Sequence, residues 1–408
     1  MTKKLFRNIG PGPLVAAAFI GPGTVTVCTL AGVNFGYTLL WAIILSILAT
    51  IVLQEMAARL GIISQKGLSE IIRYEIKHPV LRGFIIILIL SAIVIGNAAY
   101  EAGNITGGAL GIEALIGSLT FKSGNLELNI IAIGIGFLAF ILLYIGNYKA
   151  LERVLIIMVI VMSITFLITA IITKPNVTVL LKNTFIPRFT DKSVLTIIGL
   201  IGTTIVPYNL FLHASLAKTK WKHKEDLTYA RKDTIAAVAL GGLVSMSIII
   251  SASAIPFQDI NNALDLAKGL EPLFGAYAKY FMGVGLFAAG ITSAITAPLA
   301  AAFVGCGCLG WSSDLKSKKF RLIWVLILSL GVFFSTIGFK SIEIIKFAQI
   351  ANGILLPVIA GFLLWIMNKS SVLGKYKNSI LQNILGILIV LISVFLGIKG
   401  ILSVFNLI

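Results

Sequence analysis

The chain has 408 residues, 58% hydrophobic and 12% charged, with a mean hydropathy of +1.01. A soluble domain would carry about a quarter charged residues, so the composition excludes a soluble globular protein and points to one that crosses a membrane many times. The net charge of +17 is read as basic loops held against anionic lipid, not as a nucleic-acid interface, and the lack of a Gly-Lys phosphate loop excludes ATP hydrolysis by this chain itself.

Eleven apolar segments of spanning length, roughly 20 residues each, are predicted near 11–35, 39–63, 83–110, 128–148, 151–173, 194–217, 234–256, 273–308, 321–339, 343–367 and 380–404. The first is too long for a signal-peptide core and shows no small-residue cleavage site, so no cleavable leader is expected. At its centre, Gly21-Pro22-Gly23-Thr24 interrupts the helix, because proline removes a backbone donor and glycine loosens the remainder. In the second segment Glu55 and Arg59 are four apart, which predicts an ion pair. The third carries Glu101 in "GNAAYEAGN". A carboxylate at that depth is costly and is a functional candidate by default. Asn97 and Asn104 lie on the same helical face and either extend a polar track from it or glue helices together.

The sixth segment, "IIGLIGTTIVPYNLFLHASLAK", repeats the interruption. Pro207 stands mid-membrane with Thr203, Thr204, Tyr208 and Asn209 around it. His213 follows six residues later, as a titratable group or a satisfied structural one. Thr292, Ser293 and Thr296 in the eighth segment read as small residues that permit close helix contact. Gln349 and Asn352 in the tenth face either a central cavity or a neighbouring helix. Cys28, Cys306 and Cys308 read as small apolar residues, since Cys306-Gly-Cys308 lacks the two-residue spacer of a redox or zinc motif.

With the N-terminus inside, 23 of the 33 lysines and arginines fall on the inner side. The positive-inside rule therefore predicts a multi-pass protein of the cell membrane with a cytoplasmic N-terminus and an external C-terminus. Interrupted segments one and six each open a set of five, the pattern of an inverted-repeat transporter with substrate at the unwound centres. Residues 1–173 form the first repeat, 174–192 an outer loop, 193–367 the second repeat, and 368–408 an appended eleventh helix. Unwound backbone at that depth is tolerated only where it lines a cavity or is buried in protein.

At these residues the chain resembles the Nramp family of divalent-metal transporters. "GPGPLVAAAFIGPGTVTVCTLAG" is similar to that family's first helix and "GTTIVPYNLFLHAS" to its sixth. "YEAGNITGGALGI" resembles the third, "GNYKALERVL" the turn from fourth to fifth, "AAGITSAITAPLA" the eighth and "AQIANGILLP" the tenth. The resemblance implies an all-α polytopic membrane protein with the leucine-transporter-like 5+5 fold, alternating access, and a transition metal carried inward with protons. It places the substrate at Gly21, Gly23, Thr24, Thr203, Val206, Tyr208, Asn209 and Asn352, and a proton path at Glu101, Asn104 and His213. It implies no enzyme activity, no cofactor, no nucleic-acid partner and no required oligomer; the partners are the carried ion or small solute and the bilayer.

The departures from the family concentrate at its chemistry. Its first-helix Asp-Pro-Gly-Asn is here Gly21-Pro22-Gly23-Thr24. Its sixth-helix Met-Pro-His is Val206-Pro207-Tyr208, which removes a thioether suited to soft metals. A coordinating alanine aligns with Thr203, a glutamine with Leu355, and the acidic pair of the third helix with Glu101 and Asn104. Among possible metal ligands only the hydroxyls of Thr24 and Thr203 remain, as weak candidates. A dehydrated dication needs anionic or oxygen ligands, and the breaks supply no fixed negative charge. Magnesium, which keeps several of its waters, is thus expected ahead of Mn²⁺ or Fe²⁺. A small organic solute would suit hydroxyls, carbonyls and half-helix N-termini as well. A non-transporting sensor on the same scaffold is the third reading.

Overall fold

The computed structural model describes residues 20–404 apart from 124–125, 147–148, 189, 257–258 and 338, with backbone alone at 123, 126, 149, 150, 152, 191, 403 and 404. The start of the first expected span, residues 11–19, lies outside the described residues. The helices are α1 (Pro22–Phe35), α2 (Leu40–Ser64), α3 (Leu68–Glu75), α4 (Pro79–Ile116), α5 (Ile130–Ile145), α6 (Lys149–Ile172), α7 (Val177–Phe185), α8 (Val194–Thr204), α9 (Pro207–Lys220), α10 (Leu227–Ala252), α11 (Ala278–Leu309), α12 (Lys318–Thr336), α13 (Ser341–Met367) and α14 (Ile380–Val404). Each expected span from the second to the eleventh finds its helix, the sixth as the pair α8 and α9. Among the described residues, nine helical stretches are long and apolar enough to cross a membrane. The all-α membrane fold expected from sequence is present, with one short strand pair beside the helices. Thr120–Ser123 (β1) and Leu126–Asn129 (β2) pair antiparallel, with Phe121 opposite Leu128.

Both interruptions have the same local cause. A residue before proline is pushed out of the helical region and proline is favoured at the first helical position. Gly21 is extended at φ −108°, ψ −177°, and Pro22 opens α1. Val206 is extended at φ −76°, ψ 119°, and Pro207 opens α9. Ile205 and Val206 thus form a two-residue gap between α8 and α9. A helix apolar on every side belongs in a protein interior, and α1 and α8 are buried over most of their length; α9 is buried from Pro207 to Ala214 and carries its lysines toward its end. The outward faces of α5, α6 and α14 carry exposed Phe137, Ile157, Ile164, Leu388 and Phe395, the surface a lipid solvent requires.

Close approach at the centre depends on glycine. Gly107 of α4 packs directly on Pro22. A side chain at Gly202 of α8 would run into the backbone carbonyl of Gln349 on α13. Small residues let helix backbones meet in this way. Gly202→Ala is therefore expected to cost about 3 kcal/mol, the upper range for overpacking a core, because the obstacle is backbone. Gly134→Ala on α5 meets nothing within 4 Å and is expected to be neutral or slightly stabilising. Thermal unfolding of the two purified variants checks the contrast.

The predicted Glu55–Arg59 pair forms at 3.0 Å. Arg59 is 2% exposed. It also donates to the Tyr376 carbonyl at 2.6 Å and to Asn378 Oδ1 at 2.8 Å, joining α2 to the turn before α14. Arg231 of α10 reaches the same glutamate at 2.9 Å.

Candidate functional site

The two breaks meet. Thr24 Oγ1 lies 2.7 Å from Thr203 Oγ1, across 179 residues of sequence. Thr24 belongs to the first turn of α1 and Thr203 to the last turn of α8. Gly21 faces α11, where a side chain would come 3.1 Å from Ser293 Oγ, and Gly23 packs on the side chain of Gln349 from α13. Val206, Tyr208 and Asn209 are wholly buried. The Tyr208 ring meets Tyr100 of α4 edge-on, with centroids 5.4 Å apart. Asn352, three residues after Gln349 on α13, is buried too. Contacts thus join α1 to α8, α11 and α13, and α9 to α4, around the two breaks, while Val206, Asn209 and Asn352 are buried on the same or neighbouring helices.

The centre at the two breaks is polar and incompletely paired. Ser293 Oγ, Gln349 Oε1, Asn352 Nδ2, Thr26 Oγ1 and both amide atoms of Asn209 are buried without a hydrogen-bond partner among the described residues. Buried polar groups are paired in the great majority of cases, so their concentration around the two breaks marks a place where a polar ligand has bonds to gain. The electrostatics come from backbone. The starts of α1 and α9 carry no side-chain cap and present the positive ends of two half-helices, while α8 brings a negative end. Among the described residues no group of three or more His, Cys, Asp or Glu is arranged to hold a metal ion.

Glu101 is wholly buried. Its stem packs on Gly331 of α12, while its neighbour Tyr100 faces Tyr208. Oε2 accepts from Asn104 Nδ2 at 3.4 Å and Oε1 has no partner. Asn97 takes the second of the two roles open to it and ties α4 to α11, donating to the Ala297 carbonyl at 3.1 Å. His213 Nδ1 lies 2.6 Å from Gln54 Oε1 of α2, and its Nε2 is unpartnered. Leu355 packs on Gly96 of α4.

Three residues of the site escaped the sequence reading. Tyr100 and Gln54 went unremarked, although a lone amide inside an apolar span such as Gln54 is itself a signal. Ser293 read as a packing residue, and its approach to Gly21 appears only in three dimensions.

The family model described as natural resistance-associated macrophage protein-like matches residues 12–403. The divalent metal cation transporter MntH of Bacillus subtilis is 29% identical over 409 residues, covering 96% of this chain and 92% of that protein. Its counterpart from Staphylococcus saprophyticus is 28% identical over 435 residues, covering 99% and 94%. The manganese transporter of Eremococcus coleocola, solved in complex with an aromatic bis-isothiourea substituted compound, superposes with a TM-score of 0.77 at 22% identity, over 98% of this chain and 87% of that one. This last likeness bears on the fold alone.

Proposed function

Because this chain belongs to the natural resistance-associated macrophage protein-like family of membrane transporters, we propose that it carries a divalent cation by alternating access and accepts Mg²⁺ at least as well as Mn²⁺. The carrying observation is the set of buried, unpartnered hydroxyls and amides on the helices of the paired breaks and their neighbours, together with breaks whose own residues, Gly21–Thr24 and Val206–Asn209, include neither carboxylate nor thioether. Neutral oxygens suit a hard ion that retains part of its water shell, and the absent thioether removes a preference for softer metals. The relatives named as divalent metal cation transporters support the cation class. Gly21, Gly23, Thr24, Thr203, Val206, Tyr208, Asn209 and Asn352 would surround the cargo. The N-terminus is taken as cytoplasmic on the distribution of basic residues.

A second reading has its own observation. The N-termini of the two half-helices α1 and α9 have neither a side-chain cap nor an acid in their own first turns, which favours a small organic solute bearing a carboxylate.

The test is purified protein in liposomes with ion-sensitive dyes, Mg²⁺ and Mn²⁺ separately, and internal pH recorded. Flux of both ions is expected. No flux of either above empty vesicles overturns the cation reading and leaves the solute reading. Glu101 is proposed to carry protons beside the cargo path. Glu101→Gln, which keeps the shape against Gly331, is expected to reduce proton movement to background; unchanged acidification removes Glu101 from the mechanism.

A further inference from the structure

We propose that an anionic phospholipid binds where α3 meets α4, its phosphate in a basic pocket and one acyl chain in the adjoining groove between α4 and α13. The pocket encloses about 570 Å³ and is lined by Lys66, Glu70, Arg73, Tyr74, Lys77 and Arg82. Glu70 is committed to Lys218 at 2.7 Å. Among the described residues no carboxylate lies in ion-pair distance of Lys66, Arg73, Lys77 or Arg82. The pocket therefore holds a surplus of positive charge. Part of it is fixed in place: Arg73 donates to the Cys308 carbonyl at 2.8 Å, and Lys66 rests over the Tyr74 ring at 4.6 Å. The start of α4, a helix of 38 residues, adds its positive end.

The groove is of opposite character. It encloses about 550 Å³ and is walled by Leu81, Ile85 and Leu88 on α4 and by Gly361, Phe362 and Trp365 on α13. The two sites share one stretch of chain. Ile76 and Leu81 line the groove; their immediate neighbours Lys77 and Arg82 line the pocket. The flanking Val80, Phe84 and Ile87 are exposed apolar residues, as at a surface that meets lipid. An occupant that satisfies both parts is negatively charged at one end and apolar at the other. Free phosphate would fill only the pocket, and a zwitterionic lipid would leave the surplus charge unmet. Basic residues at a membrane interface each contribute measurably to holding anionic headgroups. The lipid would bridge α4 and α13, the helices that bring Tyr100, Gln349 and Asn352 to the centre.

Native mass spectrometry of the intact protein in mixed micelles tests this, with phosphatidylglycerol and phosphatidylcholine as probes. One phosphatidylglycerol is expected to be retained selectively. The double variant Lys77→Gln, Arg82→Gln is expected to weaken retention roughly 25-fold, about fivefold per cation. Gly361→Phe fills the groove from a position where a Cβ meets nothing within 4 Å, and is expected to release the lipid while the melting temperature is unchanged. Chain-brominated phosphatidylglycerol should quench tryptophan fluorescence less in Trp365→Phe than in the parent. Equal retention of phosphatidylcholine, displacement of the lipid by inorganic phosphate, or undiminished retention in folded Gly361→Phe would overturn the proposal. If the double variant does not fold, Gly361→Phe and the quenching measurement decide it.

Discussion

Arg59→Met is expected to destabilise the protein by about 3 kcal/mol, whereas Arg231→Gln costs less than about 1 kcal/mol. Both arginines bind the same glutamate, so the contrast isolates burial. Arg59 is 2% exposed and holds three partners on two segments; the Arg231 side chain is 45% exposed. Removing Arg59 strands the Tyr376 carbonyl and Asn378 Oδ1 and leaves Glu55 to its outer partner alone. The Arg231 contact is screened by water and constrained by little else. The double variant Glu55→Gln, Arg59→Met should recover part of the loss, since the buried charge then has no need of compensation. Chemical or thermal unfolding in detergent measures all three. Equal losses for Arg59→Met and Arg231→Gln would show that burial does not govern this cluster.

The second large effect is a gain. The triple variant Gly21→Asp, Thr24→Asn, Val206→Met is expected to raise Mn²⁺ affinity roughly ten- to a hundredfold and to turn selectivity toward Mn²⁺. A charge-assisted contact contributes about 1.5–3 kcal/mol, and each 1.4 kcal/mol is a factor of ten. An aspartate at 21 would arise beside Ser293 Oγ, a hydroxyl without a partner that can donate to it. The methionine supplies a soft donor but enlarges a wholly buried position, so some stability is expected to be lost. Isothermal titration with Mn²⁺ and Mg²⁺ reads the outcome. A folded triple variant with no gain would mean that the change of cargo reaches beyond these three residues, to positions such as Thr203 and Leu355.

What sequence revealed and concealed follows from range. The breaks at Pro22 and Pro207 are legible because the constraint acts between adjacent residues. The spans are legible because lipid demands long apolar runs. The start of α4 was misplaced to residue 83. Arg82 reads as a loop charge in one dimension, yet the helix begins at Pro79 behind a His78 cap, and a long basic side chain can reach water from within a helix. The pairing of β1 with β2 is not legible because four-residue strands carry too little alternation to register. The contacts that build the centre were beyond reach altogether: Thr24 with Thr203, His213 with Gln54, Gln349 on Gly23. Each joins residues far apart in the chain, and no local preference encodes a partner. The Asn104–Glu101 contact is one of the two roles the sequence leaves open to Asn104, legible because three residues along a helix is a local distance; the packing of the Glu101 stem on Gly331 of α12 is not.

The hydroxyl pair that joins the two breaks sets a limit on how the transporter is governed. Thr24 and Thr203 sit on separate half-helices, so any motion that parts those half-helices must sever their bond. A neutral hydrogen bond of this kind is worth about 1 kcal/mol net, a factor of about five in population. That is a bias toward the paired arrangement over a parted one, and by itself too weak to be a lock. The cargo needs only a modest difference in affinity between the two arrangements to decide which one prevails.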